Sequence, residues 1–366
     1  MINSALDLMR DSAVIREHGG NVYQASAETG IPLDRIIDFS ASINPLGVPE
    51  TVVQVIREGI KYLPHYPEPF AEQLTMQLGR HLDIDPGMIL CGNGSTELIY
   101  LVVRALAPRK VLIPAPTFSE YERACNVQRG TTCVPYVLSP EDNFDLDVNR
   151  FISAMEGCDM AFLCNPNNPT GRLLTRDAVI TLADAAERLN CYLVVDEAFI
   201  DFTNEPGMVR DVMNYSHLIV LRSLTKFYAL SGLRIGYGVF PASLMGLMKK
   251  HKEPWTINLL AQQAGIAAIN DTVYQRKTIS SIAEGKRFVE QGLSTLGIEY
   301  LPSAVNYYLL RSGQAQEIVE SFRKKGILVR SCSNFAGLDD SYLRIAVRSL
   351  EDNAVLLKEL ARTCAA

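Results

Sequence analysis

LIVLRSLTKFYALSGLRIGYGVF, residues 218 to 240, decides the fold. Two apolar, β-branched runs, 218–223 and 235–240, read as buried strands. Between them stands Lys226, with Ser223, Thr225 and Arg234 close by in sequence. A lysine amine forms a Schiff base with an aldehyde, and hydroxyls with a guanidinium hold a phosphate. Pyridoxal 5'-phosphate (PLP) carries both groups. The competing reading is a lysine on the surface, where lysines usually lie. The apolar neighbours Leu224, Phe227, Tyr228 and Leu230 weigh against it.

Outward from this stretch the same texture repeats. KVLIP (110–114), DMAFLC (159–164) and YLVVDE (192–197) read as further strands, with helical patterns at 95–107, 119–128 and 175–189. Such alternation predicts an α/β architecture with a mostly parallel central sheet between helices. Ligands of such sheets sit at the carboxyl ends of the strands. Asn165 to Gly171, Asp196, and Ser223 to Lys226 all fall there. Beyond about residue 250 the pattern changes to a long helical stretch, roughly 258–292. The short strands NYYLLR (306–311), GILVR (326–330) and YLRIAV (342–347) follow, with a last helix from near Glu351. The expected division is an N-terminal arm (1–45) packing on the small domain, a large cofactor-binding domain (46–250) and a smaller α+β domain (251–366).

The 366 residues are 48% hydrophobic and 21% charged, as a globular chain with a large core should be. A net charge of −6 argues against nucleic acid or an anionic membrane as partner. No apolar run approaches the roughly 18 residues of a membrane span, and MINSALDLMRDSAVIREHGG has no leader pattern. The eight cysteines form no CxxC or Cys/His cluster. That pattern fits reduced, packed thiols in a cytoplasmic protein with no structural metal.

Four features converge on one ligand. CGNGSTE places a glycine turn, with Gly94, ahead of Ser95 and Thr96 at a helix start, where free amides and the helix dipole attract an anion. The same turn can equally be a plain cap. NPNNPTG (165–171) is a turn-rich loop after a strand, in which Asn168 can donate to a phenolic oxygen or serve only the turn. Asp196 ends an apolar strand, so its buried carboxylate needs a partner, either a pyridinium nitrogen or a core arginine. The fourth feature is the Lys226 segment. Phe118 in PAPTFSEY is a ring that can stack on a cofactor or simply fill the core.

The order GNGSTE, PTFSEY, NPNNPTG, DEAF, SLTKFY and GLRIGY resembles the fold-type I PLP enzymes of the class I/II aminotransferase family, over nearly the whole chain. The resemblance implies that Lys226 is the Schiff-base lysine and proton shuttle. It implies that Asp196 is the pyridinium partner and that Asn168 donates to the ring hydroxyl. Ser95, Thr96, Ser223 and Arg234 match the phosphate cup. Tyr66 matches the tyrosine that reaches the cofactor phosphate of a neighbouring subunit, which implies a homodimer. Arg344 matches the arginine that binds the substrate α-carboxylate.

Within the family the chain is similar to two branches, the threonine-phosphate decarboxylases and the histidinol-phosphate aminotransferases. HGGN (18–21) with DFSASINPLG (38–47), Phe199 in DEAF where the aminotransferases usually have tyrosine, and LVRSCSNFAGLDDSYLRIAVRS (328–349) all resemble the first branch. That branch implies a small phosphorylated amino acid as substrate. Arg330 and Arg344 would share its carboxylate and phosphate, and His18 with the Gly19 amide would complete the phosphate site. Ser42 departs from the branch, which commonly has asparagine there. Arg348 reads as either a support for the site or a surface residue. No basic helix-turn-helix-like extension points to a regulator's sensor domain instead.

Overall fold

A computed structural model describes residues 18–364. Residues 1–17, which include most of the stretch read for a leader and the start of the expected arm, lie outside the described residues, as do 365 and 366.

Seven strands form the main sheet: β2 (Ile89–Gly92), β3 (Lys110–Ala115), β4 (Thr132–Val137), β5 (Met160–Cys164), β6 (Tyr192–Asp196), β7 (Leu218–Ser223) and β8 (Gly236–Val239). Their order is β2-β8-β7-β6-β5-β3-β4. Every pairing is parallel except the two made by β8, which runs antiparallel between β2 and β7. The expected mostly parallel α/β sheet is therefore present, and it gains two strands, β2 and β4, that were not anticipated. Successive residues of the central strands enter opposite cores. Leu193, Val195 and Val220 pack to one side, and Val194, Ile219 and Leu221 to the other. A sheet buried on both faces needs continuous apolar strands, and this is why the runs at 159–164, 192–197 and 218–223 carry no polar alternation.

Helices cover both faces. The helix Arg176–Leu189 starts where the Thr175 side chain accepts from the Ala178 amide and stops at Asn190, which is left-handed with φ 49°. The helical stretch near 258–292 is two helices, Leu259–Asn270 and Thr272–Thr295. Asp271 separates them and caps the second, its side chain accepting from the Tyr274 amide.

A smaller antiparallel sheet follows, built from β9 (Glu299–Tyr300), β10 (Tyr307–Arg311), β12 (Arg330–Ser331) and β13 (Tyr342–Ala346) in the order β12-β13-β10-β9. Its core joins Tyr308, Leu310, Leu343 and Ile345 to Val289, Leu356 and Leu360 of the flanking helices. Phe39 lies in this core too, because β1 (Ile37–Asp38) pairs in parallel with β11 (Ile327–Leu328). This pairing carries the chain from His18 to Ser42 along the rim of the cleft beside the main sheet.

Candidate active site

The carboxyl ends of β5, β6 and β7 open into a cleft of about 610 Å³, within the range of small-molecule sites. Asp196 ends β6 and is only 3% exposed. Its Oδ2 accepts from the Tyr121 hydroxyl at 2.8 Å, and its Oδ1 accepts from the Ala198 amide at 3.0 Å. Burial raises its pKa, while Tyr121, the Ala198 amide and the charge of Lys226 hold it down. The core arginine considered as its partner is taken by the next residue. Arg222 donates to Glu197 at 2.7 Å and to Asp201 at 2.9 Å. Asp196 is left facing the cleft.

Lys226 lies three residues beyond β7 and is half-buried. Its Nζ donates to Thr225 Oγ1 at 3.1 Å, and Thr225 Oγ1 lies 2.7 Å from Ser223 Oγ. Burial lowers its pKa to about 8, helped by the Arg234 and Arg344 charges and opposed by Asp196. An amine with that value sheds its proton far more readily than an ordinary lysine, which suits a nucleophile or proton carrier.

The helix Gly94–Leu106 points its first turn at the same space. Gly94 has φ +75°, and a Cβ there would sit 2.5 Å from an Arg234 nitrogen. A Cβ on Gly236 would sit 2.6 Å from the Ser95 amide. Two glycines thus let an arginine and a helix N-terminus close on one small volume, a geometry suited to phosphate. Ser95, Thr96 and Arg234 line the cleft; Gly94 lies against Arg234, and Ser223 and Thr225 are linked to Lys226 by hydrogen bonds.

Opposite lie the anion-binding candidates. Arg344 donates to Asn168 Oδ1 and, at 2.8 Å, to the Ser40 carbonyl, with its guanidinium 5.0 Å over the Tyr307 ring. Asn168 thereby keeps its amide nitrogen as the end that can donate to another acceptor. Arg330 donates to Asn334 at 2.8 Å and sits 5.3 Å over Phe335. His18 is 2.8 Å from Glu120 Oε1, and its ring lies 5.7 Å from Phe118. Gly19 is pressed on the Ser40 backbone with no room for a side chain, and the Gly20 amide donates to Ser40 Oγ at 2.7 Å. Ser42 lines the cleft with its buried hydroxyl unpartnered.

The structure thus gathers His18, Gly19, Ser42, Ser95, Thr96, Phe118, Asn168, Asp196, Lys226, Arg234, Arg330 and Arg344 around one cleft. Tyr66 is outside it, 86% exposed, with its ring 5.7 Å from Trp255. Arg348 is outside as well, bonded to Asp352 and to the Asp38 carbonyl. Glu120, Tyr121, Ala198 and Phe335 line the cleft without having been singled out from sequence. PTFSEY contains the first two, but only a fold shows that they reach His18 and Asp196. The fit to PLP is specific: a buried acid satisfied on its other sides, a depressed lysine, and a glycine-lined anion cradle. Asp196 would meet the ring nitrogen, Asn168 the ring hydroxyl, and Ser95, Thr96 and Arg234 the phosphate.

Comparison with known proteins agrees with this geometry. The family described as aminotransferase class I and II matches residues 34–360. Threonine-phosphate decarboxylase of Salmonella typhimurium is 38% identical over 94% of this chain and 95% of its own length. The crystal structure of histidinol-phosphate aminotransferase from Clostridium acetobutylicum superposes with a TM-score of 0.84 at 32% identity, covering 90% of this chain and 99% of that one. That of L-threonine-O-3-phosphate decarboxylase from Porphyromonas gingivalis gives 0.80 at 29% identity, covering 90% and 100%. The chain belongs to the class I and II aminotransferase family of PLP-dependent enzymes.

Proposed function

We propose that the protein decarboxylates L-threonine O-3-phosphate to (R)-1-amino-2-propanol O-phosphate for cobalamin biosynthesis. The observation that carries this reading is the pairing of Arg330 with Arg344 across β12 and β13, both lining the cleft that holds Lys226. Two guanidiniums side by side suit a substrate with two anionic ends. Arg344, held by Asn168 and the Ser40 carbonyl, takes the carboxylate. Arg330 and His18, which line the same cleft, take the phosphate.

When bound, PLP supplies an electron sink for the pair left at Cα as the carboxylate departs. The chain's own contribution is orientation. Arg344 and Arg330 fix the two ends of the substrate, so the bond to the carboxylate rather than the bond to hydrogen stands where it can break. Lys226 then returns a proton to Cα, a task its lowered pKa suits. Phe199 offers no hydroxyl to the ring and packs edge-on against Tyr307 at 5.1 Å.

The test is direct. The PLP-loaded protein, incubated with threonine phosphate, should release carbon dioxide in step with amine formation. Transfer of the amino group from histidinol phosphate to 2-oxoglutarate, with no carbon dioxide from threonine phosphate, overturns the reading in favour of an aminotransferase. The 32% identity to an aminotransferase structure is what keeps that second activity in view.

We also infer a homodimer in the cytoplasm. Ile60, Tyr62, Leu63, Tyr66 and Trp255 are exposed apolar residues near one another in sequence or in ring contact, and a second copy would cover them. Tyr66 would then reach the cofactor phosphate of the partner. Sedimentation of the holoenzyme checks the assembly; a monomer with full activity would exclude a role for Tyr66 across subunits.

A further inference from the structure

The helix Glu120–Val127 turns two consecutive side chains toward the cleft, and the second of them is unusually enclosed. Tyr121 has no exposed surface. Its ring stacks on Phe162 at 4.6 Å with an interplanar angle of 10°, and meets Phe118 edge-on at 5.7 Å. A tyrosine used only for packing would do as well as phenylalanine, and burying its hydroxyl costs free energy unless a partner is present. Here the partner is Asp196, at 2.8 Å.

We propose that Tyr121 is a positioning residue that fixes the direction of the Asp196 carboxylate toward the cofactor ring and keeps it ionised. The inference rests on the cofactor and not on which substrate is used.

The surroundings leave this task to the phenol. Asp196 is faced by Cys164, its register partner on β5, by Lys226 beyond β7, by Tyr307 from β10 and by Tyr121 from the helix. The Cys164 thiol is pushed up to about 12 by burial and by the Asp196 charge, so it stays neutral, and its hydrogen bond goes to the Pro166 carbonyl. Tyr307 donates to the Asn167 carbonyl at 2.8 Å. Lys226 is committed to bond-making chemistry. Burial, with Asp196 beside it, also pushes Tyr121 far above its ordinary value, so its hydroxyl remains a donor at every working pH. With the Ala198 amide on Oδ1 and Tyr121 on Oδ2, the carboxylate cannot rotate, and its ionised form has two donors in a dry site where burial alone would neutralise it.

The test is Tyr121→Phe, which keeps the ring on Phe162 and removes only the hydroxyl. Apoenzyme is titrated with PLP, and the bound cofactor's near-visible absorbance is followed against pH. A hydrogen bond to a charged group is among the stronger ones in a protein, and part of its effect reaches the cofactor. The expected result is a cofactor dissociation constant raised about threefold or more and an absorbance midpoint displaced by about half a pH unit. In turnover, kcat should fall about tenfold with KM little changed. Phe162→Leu serves as the comparison: it removes the stacking but keeps the hydroxyl, and should lower thermal stability without moving the midpoint. The proposal is overturned if Tyr121→Phe binds PLP with unchanged affinity and midpoint. It is equally overturned if Phe162→Leu moves the midpoint as far as Tyr121→Phe does.

Discussion

Arg330 and Arg344 stand directly opposite one another on β12 and β13, and each is less than a tenth exposed. Like charges directly opposite across a strand pair are destabilising, and two buried guanidiniums more so. Asn168, the Ser40 carbonyl and the faces of Tyr307 and Phe335 offset part of that cost. Asn334 accepts from Arg330 as well. Both guanidiniums still line the cleft, where an anionic ligand would add to these partners. Arg330→Met should lower kcat/KM for the phosphorylated substrate about a hundredfold. Steady-state kinetics check the fall, and calorimetry checks that the variant stays folded. A marked fall in stability with intact kcat/KM would make the pair structural.

Lys226 should leave a signature in the apoenzyme. Its folded pKa of about 8 lies below the ordinary 10.5. Between those values the unfolded chain holds a proton that the folded chain has lost, so this group's contribution to stability rises with pH across the window. Below it both states are protonated, and the penalty of the desolvated ammonium is at its greatest. Lys226→Ala should flatten the rise seen in urea midpoints from about pH 8 to 10, and should abolish the near-visible absorbance on adding PLP. Parallel midpoint curves for the two proteins would mean that the amine is not desolvated.

What the sequence made legible was whatever lies close together along it. The apolar runs ending at Cys164, Asp196 and Ser223 name three central strands, and the chemistry sits within a few residues of their ends. Two strands of the main sheet escaped. Ile89–Gly92 has only four residues and ends on glycine, and Thr132–Val137 is a half-exposed edge interrupted by Pro135. Contacts between distant segments were not legible. Tyr121 and Asp196 are separated by 75 positions and His18 and Glu120 by 102, and no periodicity links residues so far apart. The helix break at Asp271 was missed for a different reason: both flanking segments keep a helical pattern, and only the Asp271 cap separates them.

Glu120 ties the His18 segment to the large sheet. Besides His18, it receives the Tyr100 hydroxyl at 2.8 Å and lies 3.5 Å from Arg123. Burial works to raise its pKa, but the bonds from His18 and Tyr100 and the charges of His18 and Arg123 prevail and lower it. A depressed carboxylate gives stability that is present above the unfolded value of 4.5 and lost as pH falls through the folded one. Glu120→Gln keeps the shape and removes the charge. It should lower stability above about pH 4.5 and shift acid unfolding toward higher pH, since the variant lacks what the ionised carboxylate contributes there. KM for the phosphorylated substrate should rise about fivefold with kcat within about twofold, because His18 loses its anchor and not its reach. A fall in kcat at constant KM would place Glu120 in the chemical step instead.

Gly94 sets how closely Arg234 approaches the helix start. Alanine there would meet two obstacles at once: a backbone φ of +75° that L-residues disfavour, and an Arg234 nitrogen 2.5 Å from the new Cβ. The backbone cost is about 1–2 kcal/mol. The side-chain clash is relieved by moving the guanidinium, which among the described residues is held by a long 3.4 Å contact to the Ser231 carbonyl. The displaced arginine then no longer faces the Ser95 and Thr96 amides across the same small volume, and the phosphate of PLP loses one side of its cradle. Gly94→Ala should accordingly weaken PLP binding about tenfold or more while costing the apoenzyme only a few degrees of melting temperature. Inorganic phosphate, as a competitor for PLP binding, should lose affinity in the same proportion. If phosphate binding is unchanged while PLP binding collapses, the phosphate lies elsewhere in the cleft and the helix start serves only as a cap.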